Sequence, residues 1–538
     1  MQSSISTSPK SHTDLYHTIQ AALNNWKAAR ALLATTIQSC RVACAALHNV
    51  STLPANQFEE RLALEELMST ANSELASLKE GENRLYSMRQ LLATTRNKSM
   101  TLTPINTLPP EILAAIFALS KTYCIHDDKG SFQNFAEVCT YWRHIAFHTA
   151  DLWTHVDIGR GVPEDLATAR LERTKNMPIY LRAFEPKSVD SPTANIIITT
   201  LRPHVHRIHT LDVVSLDSTG VFIIAVLDLW LTSGNPKLTR SLLIFPNGKT
   251  SLQLDTHRQR MVATLVNQSE NAQSVLQNLN ILRLPDVIFG WNSGVYRSLI
   301  DLRLISRRII SISVSRLADL LAANPMLSIL KLKWVEVNST RRRSYPAPIV
   351  LSHLKVLTLL SMDRNCVRHL LSLIDIPDSH TELGIGFGYC GDLISGLGRF
   401  VVVSRATAMY YSDHTRKMSP HWPSLLQSMP RLRSLILDEA DIADPLPESN
   451  TVIPHQQSPS HVPSITLQQI TATLEGLKQF INLFGVQNLR LERCSRPVTK
   501  LGWKFDDLEE PLLEVYPGLK LTVVNTFSTP EWSYSDNI

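Results

Sequence analysis

The chain has 538 residues, of which 44% are hydrophobic and 19% charged; at roughly 150 residues per domain that is three or four modules with at least one sizeable core, which excludes a disordered chain. Lys+Arg 53 against Asp+Glu 48 leaves a formal charge of +5 spread over the whole length. So faint a balance excludes the concentrated basic footprint of a nucleic-acid or membrane-surface binder.

Seven cysteines, at 40, 44, 124, 139, 366, 390 and 494, are odd in number and never spaced C-x-x-C. That pattern argues against a disulfide framework or a zinc ribbon and for a reducing compartment. The polar, Ser/Thr-rich start, Met1 to His17, lacks a signal-peptide pattern. The longest apolar stretch, Val221 to Leu231, is short and contains Asp228, so no membrane helix is expected. The expectation is a soluble protein of the cytoplasm, the nucleus or both.

In chain order, the first hundred residues carry helical periodicity. Ile19, Trp26, Leu33, Cys40 and Leu47 are seven apart, Leu23, Ile37 and Cys44 fall between them, and Arg30 interrupts the stripe. After a break at Asn49 to Asn56, Leu64, Ala71, Leu78, Leu85 and Leu92 repeat the step, with Leu67, Leu75 and Met88 beside them. Two long helices with a short Pro-containing link predict an antiparallel, coiled-coil-like hairpin over 12–98. Cys40 and Cys44 lie on the stripe and read as packing residues, since two thiols alone make no metal site.

Thr107-Leu108-Pro109-Pro110-Glu111 is a helix entry: a polar cap, prolines where an amide hydrogen is dispensable, then an acid in the first turn. A helix bearing Ile112, Leu113, Ile116 and Phe117 follows. The polar connection Tyr123 to Ser131 leads to a second predicted helix, Phe135 to Ala146, and Asp151-Leu152-Trp153 closes the unit.

The remaining two thirds repeat apolar-x-x-apolar-x-apolar. Copies stand at Ile208/Leu211/Val213, Leu279/Leu282/Leu284, Leu299/Leu302/Leu304, Leu327/Leu330/Leu332 and Leu354/Leu357/Leu359. They recur at Leu432/Leu435/Leu437, Val462/Ile465/Leu467, Val486/Leu489/Leu491 and Tyr516/Leu519/Leu521. Middle positions 282, 302, 330 and 357 are 20, 28 and 27 apart, within the ~20–29 residues of leucine-rich repeats. A degenerate copy is expected at Leu383 and an unrecognised one around Phe400 to Val403. Each apolar-x-apolar end predicts a short strand stacked in parallel on its neighbours, with intervening helices such as Val314 to Ala323 on the other side. Asp441 to His461, rich in Pro, Ser and Gln, predicts an exposed loop. The expected fold is multidomain: an all-α hairpin (12–98) and three-helix module (101–158), an α/β leucine-rich-repeat solenoid (159–525) with the 441–461 insertion, and a tail (526–538).

Leu108-Pro109-x-Glu111-Ile112-Leu113, then Ile116-Phe117, Val138-Cys139-x-x-Trp142-Arg143-x-Ile145-Ala146 and Leu152-Trp153 resemble an F-box. The order of parts is most similar to the F-box-like proteins of mushroom-forming fungi, which carry a helical hairpin in front and degenerate leucine-rich repeats behind. Leu171-Glu172-Arg173-Thr174-Lys175-Asn176-Met177-Pro178-Ile179-Tyr180-Leu181 is similar to a segment of the same family. The resemblance implies docking on a Skp-type adaptor of a cullin–RING ubiquitin ligase. Leu108, Pro109, Ile112, Leu113, Ile116 and Phe117 would present an apolar ridge, completed or buttressed by Val138, Cys139 and Trp142. The implied protein is a non-catalytic adaptor whose repeats hold an unknown protein target. The alternative is an interaction scaffold without ligase coupling.

Catalytic signals are weak. Gly386-Phe387-Gly388-Tyr389-Cys390-Gly391 fits G-x-G-x-x-G, but Gly396 and Gly398 would break the following helix, and Val401-Val402-Val403 leads into Ser404 and Arg405 instead of an acid. A turn between repeats accounts for it better than a nucleotide-binding enzyme. His204, His206 and His209 lack a partner of ligand spacing and read as solvent-exposed. Arg341-Arg342-Arg343 reads as a solvated loop, and Cys139, beside Val138, as a small hydrophobe. No catalytic residue, metal or cofactor is expected.

Overall fold

The computed structural model describes residues 12–51, 58–98, 103–120, 133–159, 161–185, 192–215, 221–246, 269–284, 289–338, 347–376, 383–388, 406–412, 429, 431–438, 441–442, 462–492 and 509–524. The chain divides into two compact units, Met1–Pro109 and Pro110–Ile538.

The first unit contains α1 (His12–Ser51) and α2 (Phe58–Lys98), followed by a 3-10 turn at Pro104–Thr107. No described side chain of either long helix is buried. The periodic stripes, which predict mutual burial in a hairpin, are open instead: Trp26 is 51% exposed and Ile37 57%. The helices form because Ala, Leu, Glu, Gln, Lys and Arg dominate them, and pairs such as Glu80–Arg84 brace their surfaces.

The second unit opens with α3 (Pro110–Ser120), α4 (Gln133–Val138) and α5 (Thr140–His148). Then come α6 (Glu164–Arg173), α7 (Pro192–Leu201), α8 (Val221–Ser233), α9 (Glu270–Gln277), α10 (Val314–Ala322), α11 (Arg364–Leu373), α12 (Leu474–Phe484) and α13 (Glu509–Val515). Its strands are β1 (His155–Gly159), β2 (Ile179–Phe184), β3 (Ile208–Ser215), β4 (Ser241–Pro246), β5 (Ile281–Leu284), β6 (Asp301–Ser313), β7 (Ile329–Asn338), β8 (Ile349–Val350) and β9 (Val356–Leu360). They continue as β10 (Ile374–Asp375), β11 (Leu383–Gly388), β12 (Ala406–Ser412), β13 (Ser434–Asp438), β14 (Asp441–Ile442), β15 (Ser464–Gln468), β16 (Thr471–Ala472), β17 (Asn488–Glu492) and β18 (Lys520–Val524). A 14-stranded sheet joins β1 to β18 in chain order, while β8 pairs with β10 and β14 with β16 apart from it.

Every pairing in that sheet is parallel, and one register runs through it. Val156, Leu181, Leu211, Leu242, Leu282, Leu302 and Leu330 are successive partners. The line continues through Leu357, Ile385, Met409, Leu435, Ile465, Leu489 and Leu521. All but the half-buried Leu521 are buried. Because side chains alternate along a strand, this row and the one two residues on share the face that packs against the helices. Each fully buried Leu or Ile in such a row contributes about 1.5–3 kcal/mol.

Polar residues close the connections. Asn324 is wholly buried; its side chain accepts from the Leu299 N–H at 2.7 Å and donates to the Tyr296 and Leu320 carbonyls. Asn271 donates to the last carbonyls of α8, including Leu231 at 2.9 Å. Helix starts are capped by Ser269, Ser313, Asp363 and Thr473. Gly485, at φ 57°, ends α12 in the left-handed conformation that glycine takes without strain.

Several expectations shift. The sheet begins at His155, before the predicted boundary at 159, and Tyr516/Leu519/Leu521 is out of register by two, since Leu521 is the residue that pairs with Leu489. The same slip affects Leu383, because Ile385 partners Leu357. The strand expected near Phe400 lies at Ala406–Ser412, while 400–403 fall outside the described residues. So do Arg341 to Arg343, Tyr123 to Ser131, the tail and all of the 441–461 insertion beyond Ile442.

Candidate functional site

The first three helices of the second unit carry two apolar faces on α3. Leu113 and Phe117, four apart, are both 0% exposed and face inward. Ile112, Ile116 and Leu119, at i, i+4 and i+7, line another side: Ile112 is 49% exposed and Leu119 87%, with Ile116 half-buried. Pro110 and Glu111 occupy the first turn, where a missing N–H and a negative charge suit a helix start.

Phe117 is the centre of an aromatic cluster. Its ring stacks on Phe135 at 4.6 Å and meets Trp142 at 5.0 Å. The helix predicted from Phe135 to Ala146 is broken at Cys139, which is extended at φ −159° and caps α5 by accepting from the Trp142 N–H at 3.4 Å. Arg143 Nε donates back to the Ala136 carbonyl at 2.7 Å, tying α4 to α5 across the break. Trp153 Nε1 donates to the Ala146 carbonyl at 2.7 Å.

The nine residues singled out from the sequence therefore separate. Leu113 and Phe117 are core residues rather than parts of an outward ridge, because the helices of this module have no other material to bury. Trp142 buttresses them, Cys139 is a half-buried cap, and Val138, 54% exposed, ends α4. Leu108, half-buried, and Pro109, exposed, belong to the first compact unit. Sequence reasoning missed Leu119 and Phe135; the i, i+4, i+7 spacing from Ile112 is the signal that finds Leu119.

Arg173 of the segment after β1 lies over the rings of Phe147, at 4.3 Å, and Trp153, at 4.5 Å. Thr174, its buried neighbour, donates to the Leu171 carbonyl at 2.6 Å and accepts from Arg207 at 2.8 Å. These contacts give the Arg-Thr pair of that segment a structural task, joining α6 to the end of the helical module.

The sheet face opposite the leucine row is polar over its first half. Asp157, Arg182 and Asp212 are successive partners on β1, β2 and β3. Asp301 lies between two arginines, accepting from Arg283 at 2.8 Å and from Arg303 at 2.9 Å. Further along, Tyr410 donates to Asp438 at 2.6 Å, and Glu492 accepts from Gln468 and Arg490. Leu360, Tyr410 and Ile436 form a small second apolar cluster here.

Burial pushes Asp212 up to about 7, against the pull of Arg182 and Arg283, while Asp157 raises it further. An unfolded Asp titrates near ~3.9, so the folded chain holds a proton that the unfolded chain has already lost. This contribution to stability is complete below the unfolded value and lost as pH rises through about 7. Thermal melts are expected to fall from pH 5 to pH 8, and Asp212→Asn to flatten that part of the slope. An unchanged slope would contradict this assignment.

The remaining chemical candidates resolve into structure. Gly386 and Gly388 lie within β11 rather than in a turn, while 389–391 are outside the described residues. His204 and His206 sit on a 3-10 turn, His204 beside Arg207 at 2.7 Å, and half-buried His209 lies on β3. Burial and a 2.7 Å hydrogen bond to Asp363 push the Cys366 thiol up to about 12, the opposite of an activated nucleophile. Among the described residues no group of His, Cys, Asp and Glu has the arrangement of a metal site, and no helix is long and apolar enough to cross a membrane.

Residues 105–159 match the F-box-like family model. No curated protein matches the chain.

Proposed function

From the F-box-like domain at residues 105–159 we propose that this chain is the target-recognition subunit of a Skp–cullin–F-box ubiquitin ligase. That domain is the observation that carries the reading, since F-box-like domains generally bind Skp-type adaptors. The adaptor would cover the exposed side of α3, at Ile112, Ile116 and Leu119. The parallel sheet behind it would be a leucine-rich-repeat solenoid. Its chain-order strands and single unbroken leucine row support that reading. The face opposite the row would hold the target protein.

In this role the chain performs no bond chemistry. It raises the effective concentration of a target lysine near a ubiquitin-charged enzyme that other subunits supply. The reading places the protein in the cytoplasm or nucleus, where such ligases meet their targets.

The test is binding of the full chain to a purified Skp-type adaptor, with Ile112→Asp/Leu119→Asp as the variant. Two apolar contacts of about 1.5–3 kcal/mol each predict at least ~100-fold weaker binding. Both positions face solvent, so circular dichroism should stay native. Failure of folded wild-type protein to bind would refute ligase coupling and leave an interaction scaffold.

A further inference from the structure

Helices α1 and α2 are 40 and 41 residues long, yet the described residues supply no buried side chain along either. Helices in proteins draw most of their stability from packing an apolar face, and large apolar patches left in water mark interaction sites. The pattern on these helices says what kind of packing is missing.

With Leu23 at heptad position a and Ile19 at d, α1 places Trp26 and Leu33 at d and Ile37 at a. Ala22, Ala29 and Ala43 then fall at g and Ala34 at e. On α2, Leu85 and Leu92 take a, Met88 takes d, Met68 takes e, and Ala63 and Leu91 take g. A two-stranded seam needs a and d alone, whereas apolar a, d and e or g make the wider face of a helix inside a bundle. Leu91 is 67% exposed and Met68 48%, so the added positions are open as well.

Charge identifies the neighbour. Along α1 the ionised residues are Asp14 against Lys27, Arg30 and Arg41. The first part of α2, Phe58 to Glu82, carries Glu59, Glu60, Glu65, Glu66, Glu74, Glu80 and Glu82 against Arg61 and Lys79. A basic α1 therefore suits an α2 and not another α1. Arg30, on the stripe, lies over Trp26 at 5.8 Å, where the ring face receives its charge. Two helices cannot cover faces this wide, and among the described residues the first unit has no third long helix.

We propose that α1 and α2 are a dimerisation module: a second copy of this chain supplies another α1 and α2, and the four close into one bundle. The occupant of the open stripe is the same sequence, so the surface is self-complementary, as a two-fold dimer requires. This inference does not rest on adaptor binding.

The experiment is the solution mass of the purified full chain, alone, by sedimentation equilibrium between 0.1 and 10 μM (on the order of ordinary dimer affinities). The expected mass is twice 60.4 kDa. Trp26→Ala/Leu33→Ala/Ile37→Ala removes apolar bulk while keeping the best helix former, and should weaken the dimer at least ~100-fold. Gln38→Glu, off the stripe, should leave it unchanged. A wild-type mass of one chain, or of more than two, would overturn the proposal. So would a triple variant that dimerises like wild type. Should the triple variant lose helicity, Trp26→Ala alone serves as the milder variant and is expected to raise the dissociation constant about tenfold.

Discussion

Asp301→Ala is expected to destabilise the second unit by about 3–5 kcal/mol, the range for removing one partner of a buried ion pair. The carboxylate is almost fully buried and receives both nitrogen arms of Arg303, at 2.9 and 3.0 Å, and two nitrogens of Arg283, at 3.1 and 2.8 Å. Arg283 and Arg303 are register partners on β5 and β6, and like charges directly opposite repel. Asp301 is the group between them that converts repulsion into two bidentate attractions. Without it, two guanidiniums held in a low-dielectric layer lose the carboxylate they share. Hydrogen exchange read on β5, β6 and β7 checks this, and unchanged protection there would refute it. Replacing all three by apolar residues, Arg283→Met/Asp301→Leu/Arg303→Met, should cost far less than Asp301→Ala, because no charge remains to be desolvated.

Phe117→Ala is expected to cost about 3–5 kcal/mol, the range for a buried aromatic truncated to alanine. Phe117 is 0% exposed and contacts both Phe135 and Trp142. The helices α3, α4 and α5 are short, so their shared aromatic centre is a large part of what holds them together. The near-ultraviolet dichroism of Trp142 should collapse, and adaptor binding should fail with it. Ile112→Asp/Leu119→Asp should abolish binding while that signal stays native. The two outcomes distinguish a residue that builds the docking surface from residues that are the surface. A Phe117→Ala protein with native tryptophan dichroism would contradict the packing assigned here.

How legible the fold is depends on which template positions are apolar. The copies at 282, 302, 330 and 357 have leucine at all three positions and pair in the predicted register. The strands β2 and β4 escape the template because Pro178 and Thr239 stand where its first apolar residue belongs. Trp153, Val156 and Ile158 satisfy it on β1, but the F-box resemblance claims that stretch. At β18, Gly518 stands at the first position, and the apolar Tyr516 draws the reading two residues back. Leucine periodicity locates strands; it does not discriminate between registers that differ by two, because both keep the same face inward.

The docking module shows the other limit. Ile112, Leu113, Ile116 and Phe117 are all apolar, so helical period alone defines a wide stripe without saying which edge is buried. Cys139 reads as a hydrophobe because its capping role depends on a backbone break that propensity does not signal. The charged neighbours Arg283, Asp301 and Arg303 leave no mark in a sequence scan, since they are 18 and 2 residues apart and meet only across paired strands.

By itself the sequence determined the long helices, the helix entry at Pro110 and the recurring strands, because these follow from local propensity, capping and spacing within one element. Tertiary structure alone decided that Leu113 and Phe117 are core while Ile112 and Leu119 are open. It also decided where the sheet begins and which carboxylate the arginines share. Those choices depend on what lies across the gap between elements, and burial, register and charge pairing are properties of two surfaces that no single stretch of chain contains.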